Sequence, residues 1–237
     1  MRALTLALML AATPLAAQDV EVELVLLADA TGSIDEREIL FQRQGYADAI
    51  VDPAVLAAIA NTAYGRIAVT YVEWAGTTSQ EVVVPWTIID GPASAQDFAT
   101  ALMIPPRLAF GRNAIGAALL KGKELIETND IDGWRKVIDF SGDSANNFQG
   151  PPVAEARAEV LAAGITINGL PILCRGCSGS SSGNDTLADR FQSEIIGGMG
   201  AFMVVAETPA DFAMAVRRKL ILEISGDMPA GPRIALR

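Results

Sequence analysis

Histidine is missing from this chain of 237 residues, and its absence excludes several kinds of catalytic site at once. Without an imidazole group there is no Ser-His-Asp or Cys-His catalysis, no histidine-ligated zinc and no histidine proton shuttle, because each needs a side chain that titrates near neutral pH. A metal ion bound by this chain is therefore expected to have oxygen ligands.

Positive charge is also scarce, since 18 Lys and Arg residues stand against 28 Asp and Glu residues and give a formal net charge of −10. Binding to nucleic acid needs a basic surface that meets the phosphates, and this excess of acids does not supply one. We therefore expect no nucleic acid partner. With 51% hydrophobic and 19% charged residues, the chain is suited to a sizeable hydrophobic core and not to a disordered tail.

The long apolar run of the sequence lies at the N-terminus, where Arg2 precedes the apolar residues 3–12 and small residues lead up to Ala17. This pattern is typical of a secretory signal peptide, residues 1–17, cleaved near Ala17. The run is shorter than the roughly 20 residues that cross a bilayer, and no later segment is long enough. We expect a mature domain in the periplasm or outside the cell, without a membrane span.

Cysteine occurs only twice, as Cys174 and Cys177. In an oxidising compartment a pair so close together favours a small structural disulfide loop. The alternative is a redox-active motif, which usually opens a helix that lowers the thiolate pKa, whereas this pair is followed by the Ser- and Gly-rich residues 178–183. Two cysteines alone also make a poor zinc site.

Strand-like and helix-like segments alternate along the rest of the chain, which predicts an α/β fold with a doubly wound, mostly parallel six-stranded sheet flanked by helices. Pro85 removes a backbone donor, so its strand is expected at an edge, antiparallel to the strand before it. We expect one domain over residues 19–224 and a loose C-terminal tail over 225–237. The predicted strands are 20–28, 66–74, 80–89, 135–141, 165–170 and 201–206, and the predicted helices are 35–50, 114–127, 152–163, 187–195 and one that starts at Thr208 and Pro209.

Polar residues follow the predicted strands, at the sheet edge where ligands bind in doubly wound folds. The three segments are Asp29-Ala30-Thr31-Gly32-Ser33, Gly111-Arg112-Asn113 and Ser141-Gly142-Asp143. Carboxylate, hydroxyl and amide oxygens suit a hard cation such as Mg²⁺. The alternative interpretation is that Thr31 or Ser33 caps a helix and Asp29 favours its positive end.

This pattern resembles the metal-ion-dependent adhesion site of the von Willebrand factor A domain, and in particular small exported bacterial members of that family. The family carries Asp-x-Ser-x-Ser after its first strand, and Asp29, Thr31 and Ser33 match it with one hydroxyl exchanged for another. Asn113 stands where the family has Thr. Asp143 follows its strand with one residue more than the usual pattern, so Asp139, inside that strand, is the alternative ligand.

The resemblance implies a Rossmann-like fold and a site for Mg²⁺, or for Mn²⁺ or Ca²⁺, formed by Asp29, Thr31, Ser33, Asn113 and Asp143. It further implies a partner protein whose Asp or Glu carboxylate completes the metal coordination, and no enzyme activity.

Two alternatives stay open at this point. One is an interaction domain that has lost its metal, since Asn113 and the extra residue before Asp143 depart from the family pattern. The other is a Mg²⁺-dependent phosphatase of the haloacid dehalogenase type, which has Asp-x-Asp-x-Thr and Gly-Asp-x-x-x-Asp motifs. Thr31 and Asn147 replace two of the Asp residues of those motifs, and a Thr hydroxyl is a poor general acid.

Overall fold

The computed structural model describes residues 18–173, 184–208, 211–227, 231 and 233–234. Within these residues one sheet has the order β3-β2-β1-β4-β5-β6-β7, and only β3 runs antiparallel to its neighbour. The predicted fold class, a mostly parallel α/β sheet with one antiparallel edge strand, is confirmed. The strands are β1 Gln18–Asp29, β2 Ile67–Trp74, β3 Gln80–Ile89, β4 Ile131–Gly142, β5 Thr166–Pro171, β6 Met203–Val204 and β7 Arg233–Ile234.

Strand β1 lies inside the sheet, and its residues 22–29 are all buried and mostly apolar. It pairs in parallel with β2 on one side, where Asp29 lies opposite Trp74, and with β4 on the other, where Leu27 lies opposite Phe140. The chain order therefore reverses at β1. The loops that follow β1 and β4 meet at this reversal, which is where doubly wound sheets bind ligands.

Helices cover both faces of the sheet and form two separate cores. Tyr46 and Phe212 belong to the core on one face, and Leu119 and Val160 belong to the core on the other. The first face carries α1 Glu36–Ile50, α2 Pro53–Ala60, α3 Pro92–Met103 and α7 Phe212–Ser225, and the second carries α4 Ile115–Glu127, α5 Val153–Ala162 and α6 Asn184–Arg190, which continues as a π-helix over Phe191–Ile195.

The C-terminal part of the chain differs most from the sequence prediction. Helix α7 begins at Phe212 and not at Thr208, because Thr208 forms a turn in which its carbonyl accepts from the N–H of Asp211 (3.0 Å) and its hydroxyl donates to Oδ2 of Asp211 (2.7 Å). Strand β6 is only two residues long. The tail contains β7, which pairs with β6, so the expectation of a loose tail was wrong for Arg233–Ile234.

Helices α2 and α3 were not assigned from the sequence, although each begins with a proline at its first helical position. Among the described residues no helix is both long and apolar enough to span a membrane. The signal peptide of residues 1–17 and the pair Cys174 and Cys177 lie outside the described residues, so the cleavage site and the disulfide stay predictions.

Candidate metal centre

Asp29 is the last residue of β1, and its carboxylate is fully buried. The N–H of Thr31 donates to Oδ1 (2.9 Å) and the N–H of Asp143 donates to Oδ2 (3.3 Å). The side-chain amide of Gln42, on α1, donates to the carbonyl oxygen of Asp29 (3.0 Å). The backbone and the carboxylate of Asp29 are therefore both held in place from three directions.

Thr31 and Ser33 lie in the loop between β1 and α1, and their hydroxyl oxygens are 3.1 Å apart. Thr31 is fully buried. Neither hydroxyl caps the helix, because Asp35 does so: its carboxylate accepts from the N–H groups of Arg37 (2.8 Å) and Glu38 (2.9 Å). The capping interpretation of Thr31 and Ser33 was thus wrong, and their hydroxyls remain beside the two carboxylates.

Asp143 follows β4 directly, and its Oδ1 is buried without a hydrogen-bond partner. Asp139, the alternative ligand, lies elsewhere: its Oδ1 is 2.7 Å from Nζ of Lys219 in the core beneath α7. The extra residue before Asp143 therefore does not move its carboxylate away from Asp29. Strand β4 continues to Gly142, one residue beyond the predicted end, and so Asp143 rather than Asp139 is at the sheet edge.

The electrostatics of the site disfavour two free carboxylates. Burial, and to a smaller extent the negative charge of Asp143, raise the pKa of Asp29 to about 7. Burial also raises the pKa of Asp143, against hydrogen bonding from the Ser33 hydroxyl, which lowers it. In the described part of the chain neither carboxylate has a salt bridge to Lys or Arg. A cation placed between these oxygens would supply the missing positive charge.

Asn113 reaches this edge on the loop before α4 and is 7% exposed. The N–H of Gly32 donates to the carbonyl of Gly111 (2.9 Å), which joins that loop to the one after β1. Gly111 has a φ of 130° and would bring a Cβ within 2.9 Å of the Gly76 backbone, so no other residue fits there. Nδ2 of Asn113 is buried without a partner, and rotation of the amide exchanges it with the oxygen.

Two supporting residues were missed from the sequence. The guanidinium of Arg107 donates to the carbonyl oxygens of Ala30, Thr31 (3.0 Å) and Ile34 (2.8 Å), and so fixes the loop after β1. Gln42 holds Asp29 as described above. Neither residue belongs to a motif, and their role depends on contacts between distant segments, so the sequence carried no signal for them.

The buried salt bridge between Arg43 and Glu73 fixes the start of the loop between α3 and α4, which carries Asn113. Nε of Arg43 is 3.0 Å from Oε1 of Glu73, and Oε2 of Glu73 accepts from the N–H groups of Leu108 (2.8 Å) and Ala109 (3.3 Å). A complete set of partners makes a buried ion pair rigid. The loop that carries Asn113 is therefore anchored at one end in the core.

Within the described residues no three His, Cys, Asp or Glu side chains form a cluster that could hold a metal. The candidate centre has another composition, with two carboxylates, two hydroxyls and one amide. Donors of this kind are hard oxygens and suit Mg²⁺, Mn²⁺ or Ca²⁺.

Comparison with solved structures shows which fold this chain has. The pilus adhesin SpaC from Lactobacillus rhamnosus GG has a TM-score of 0.61 and 11% identity, over 88% of this chain and 31% of that chain. The vWF domain of the type V pili tip protein Mfa5 from Porphyromonas gingivalis has a TM-score of 0.57 and 12% identity, over 90% and 97%. Proximal thread matrix protein 1 from the mussel byssus, with a zinc-occupied MIDAS motif, has a TM-score of 0.58 and 17% identity, over 88% and 49%.

The chain thus has the von Willebrand factor A fold, and the likeness in sequence predicted it correctly. It spans about half the length of the mussel protein chain and about a third of the SpaC chain. The model of the family described as protein of unknown function DUF1194 matches residues 19–228, and the chain belongs to this family. No curated protein matches it in sequence.

Proposed function

We propose that this chain is a protein-interaction domain that binds a carboxylate of a partner protein through a divalent cation. Its metal ligands are Asp29, Thr31, Ser33, Asn113 and Asp143. The observation that carries the proposal is the joined pair of carboxylates at the ends of β1 and β4, where Asp29 is fully buried and accepts a hydrogen bond from the N–H of Asp143. A fully buried acid next to a partly buried one, with no basic partner in the described residues, is costly unless a cation or a proton joins them.

The residues present fit such a cation. Asp29 and Asp143 together carry two negative charges, so a divalent ion makes the filled site locally neutral. A carboxylate from a partner is then accepted without strong local repulsion, even though the whole chain has a formal net charge of −10. The cation supplies an electrophilic position for that carboxylate, and the protein supplies the fixed oxygens around it. Mg²⁺ is the first candidate, with Mn²⁺ and Ca²⁺ as alternatives.

The relatives in fold support an interaction role over catalysis. SpaC is a pilus adhesin and Mfa5 is a pili tip protein, and the mussel byssus protein was solved with zinc in its MIDAS motif. By analogy we expect this chain to work outside the cytoplasm, in the periplasm or secreted, after cleavage near Ala17. The same compartment favours a disulfide between Cys174 and Cys177.

Calorimetric titration of the mature domain with Mg²⁺, Mn²⁺, Ca²⁺ and Zn²⁺ tests the metal site. We expect one divalent ion to bind, and Asp29→Ala to abolish its binding. The matched control is Asp132→Ala, because Asp132 is an exposed carboxylate at the start of β4, at the opposite edge of the sheet. If no cation binds, or if Asp29→Ala binds as wild type does, the chain is a metal-independent domain and the proposal fails.

Partner binding and catalysis need separate tests. Capture of periplasmic proteins with and without a chelator should give a partner that is lost when the chelator is present. An aryl phosphate assay in Mg²⁺ should show no turnover, because Thr31 replaces the second Asp that phosphatases of this type use. Turnover that disappears in Asp29→Asn would overturn the role as a pure binding domain.

A further inference from the structure

Two large aromatic side chains are exposed beside the candidate metal centre. Phe110 is 61% exposed and Phe148 is 53% exposed. Both belong to loops that build the centre, since Phe110 precedes Gly111, whose carbonyl accepts from Gly32, and the N–H of Phe148 donates to the carbonyl of Asn113 (2.9 Å). A single exposed ring needs no explanation, but two rings that flank one binding site mark an interaction surface.

An arginine lies against each ring. The guanidinium carbon of Arg107 is 4.9 Å from the centre of the Phe110 ring, and that of Arg112 is 4.4 Å from the centre of the Phe148 ring. Cation–π contacts at these distances are favourable and hold the rings in place. Because Arg107 also donates to the carbonyl of Thr31 (3.0 Å), the Phe110 ring is only one side chain away from a metal ligand.

The two arginines differ in how many of their N–H groups remain free to bind a partner. Arg107 uses its N–H groups on the carbonyls of Ala30, Thr31, Ile34 and Ala109. Arg112 is exposed, and within the described residues it forms no salt bridge. A guanidinium stacked on a ring keeps its N–H edge available for a carboxylate. Arg112 thus presents a free positive charge next to the site of a protein that is acidic overall.

We infer that Phe110, Arg112 and Phe148 form an aromatic rim that selects the partner of the metal centre, and that this partner is an acidic protein segment. Its metal-binding Asp or Glu is flanked by a large apolar side chain, which packs between the rings, and by a second acidic side chain, which pairs with Arg112. The inference rests on the proposed function and adds the chemistry of the partner to it.

Charge favours a protein segment over a membrane surface. Anionic lipid headgroups attract clusters of several basic residues, whereas the rim offers one free arginine on a chain with a net charge of −10. A short acidic segment needs only one such arginine, because its other carboxylate is directed to the cation.

Fluorescence anisotropy with three labelled peptides tests the rim in buffer that contains Mg²⁺. The peptides are Gly-Leu-Asp-Leu-Glu-Gly, its alanine counterpart Gly-Ala-Asp-Ala-Glu-Gly, and Gly-Leu-Asp-Leu-Gln-Gly, which lacks the second acid. We expect wild type to bind the first peptide about tenfold more tightly than the alanine peptide, because the leucines bury apolar surface against the rings. The double variant Phe110→Ala, Phe148→Ala should lose this preference, and Arg112→Gln should lose the preference for the second acid.

Trp134→Ala is the matched control, since Trp134 is 76% exposed but lies near the start of β4, at the opposite edge of the sheet from the metal centre. It should keep both preferences. Because Phe110 and Phe148 are exposed, thermal unfolding of the double variant should match wild type, and its Mg²⁺ binding should persist.

The outcomes separate the rim from the metal site. Equal binding of the leucine and alanine peptides, a preference that survives in the double variant, or no peptide binding while Mg²⁺ still binds would each overturn the rim and leave the proposed function intact. Absence of Mg²⁺ binding would overturn both. Binding to phosphatidylglycerol vesicles that persists in chelator would replace the acidic segment with a membrane surface.

Discussion

The backbone N–H of Asp143 donates a hydrogen bond to Oδ2 of Asp29, with 3.3 Å between nitrogen and oxygen. This contact joins the ends of β1 and β4, which are distant in sequence and adjacent in the sheet. It orients one oxygen of the buried Asp29 carboxylate, while Oδ1 of Asp143 is left without a partner. The Asp29 carboxylate is therefore already oriented toward the end of β4, as the proposed cation site requires.

Proton competition is the first expected consequence. Because burial and the charge of Asp143 raise the pKa of Asp29 to about 7, the site without metal holds a proton at mildly acid pH, and a cation has to displace it. Affinity for Mg²⁺ should fall about tenfold for each pH unit below about 7 and level off above it. Calorimetry in two buffers of different ionisation enthalpy counts the proton released, and a constant affinity across this range would contradict the prediction.

Gly142 should not tolerate a methyl group. A Cβ there would lie 3.2 Å from Oδ2 of Asp29 and 3.2 Å from the Trp74 ring, which is stacked on Phe140 and cannot retreat easily. Gly142→Ala should lower the free energy of unfolding by about 1–2 kcal/mol and weaken Mg²⁺ binding. Urea denaturation and calorimetry measure the two effects.

The control for that substitution is Gly91→Ala, because a Cβ at Gly91 meets no atom within 4 Å. Gly91 is the N-cap of α3, far from the site, so this substitution should leave the metal affinity close to wild type. Equal effects of the two substitutions would mean that crowding at Asp29 is not the cause.

The buried salt bridge of Arg43 and Glu73 should be essential for stability. Both side chains are fully buried, so Arg43→Ala leaves the Glu73 carboxylate without its cation in the core. We expect a loss of about 3–5 kcal/mol in the free energy of unfolding, measured in urea. The surface pair of the half-buried Lys123 and the exposed Glu127 is the comparison, and Glu127→Ala should cost less than about 1 kcal/mol. Similar losses in the two variants would contradict this account.

Stability should depend on pH through Glu223, a buried residue of α7. Nζ of Lys219 is 2.5 Å from Oε1 of Glu223 and 2.7 Å from Oδ1 of Asp139. Burial raises the pKa of Glu223 from 4.5 to about 7, although Lys219 opposes the shift. Between these two values the folded chain holds a proton that the unfolded chain has released, so stability falls as pH rises through this interval.

Thermal unfolding of wild type and Glu223→Gln over that pH interval tests this contribution. The variant should lack this part of the decline, so the difference between the two melting temperatures should change with pH. Titrating groups that do not interact with Glu223, Asp29 among them, are common to both proteins and cancel in the difference. A difference in melting temperature that stays constant with pH would show that Glu223 does not titrate in this interval.

Local patterns were sufficient to predict the elements that position the site. The apolar run of β1, Asp35 at the start of α1, and the hairpin with Pro85 at the sheet edge each carry a signal within a few residues, and the structure has β1, α1, β2, β3 and α4 within a few residues of the predicted bounds. The resemblance of Asp29, Thr31 and Ser33 to a known motif supplied the location of the candidate centre.

The remainder depends on contacts between segments far apart in the chain. Asp139 pairs with Lys219 and Asp143 does not, because β4 ends at Gly142, between the two acids. The composition of the segment does not show where the strand ends. Arg107 has no motif around it and acts by reaching the carbonyls of the loop after β1. Strand β7 exists because β6 offers it a free edge, and a two-residue strand has too little pattern to be recognised in a sequence.

Pairing of β1 with β4 also sets when the metal centre forms. Asp29 and Asp143 come together only after strands that are more than a hundred residues apart have aligned in register, and contacts over such distances form late because loop closure comes first. If the proposed function holds, a newly made chain therefore binds no cation at this site until its central sheet is complete. Cation binding during refolding would consequently report the fraction of molecules in which the central sheet is complete. A chain whose sheet is incomplete would not bind a carboxylate partner.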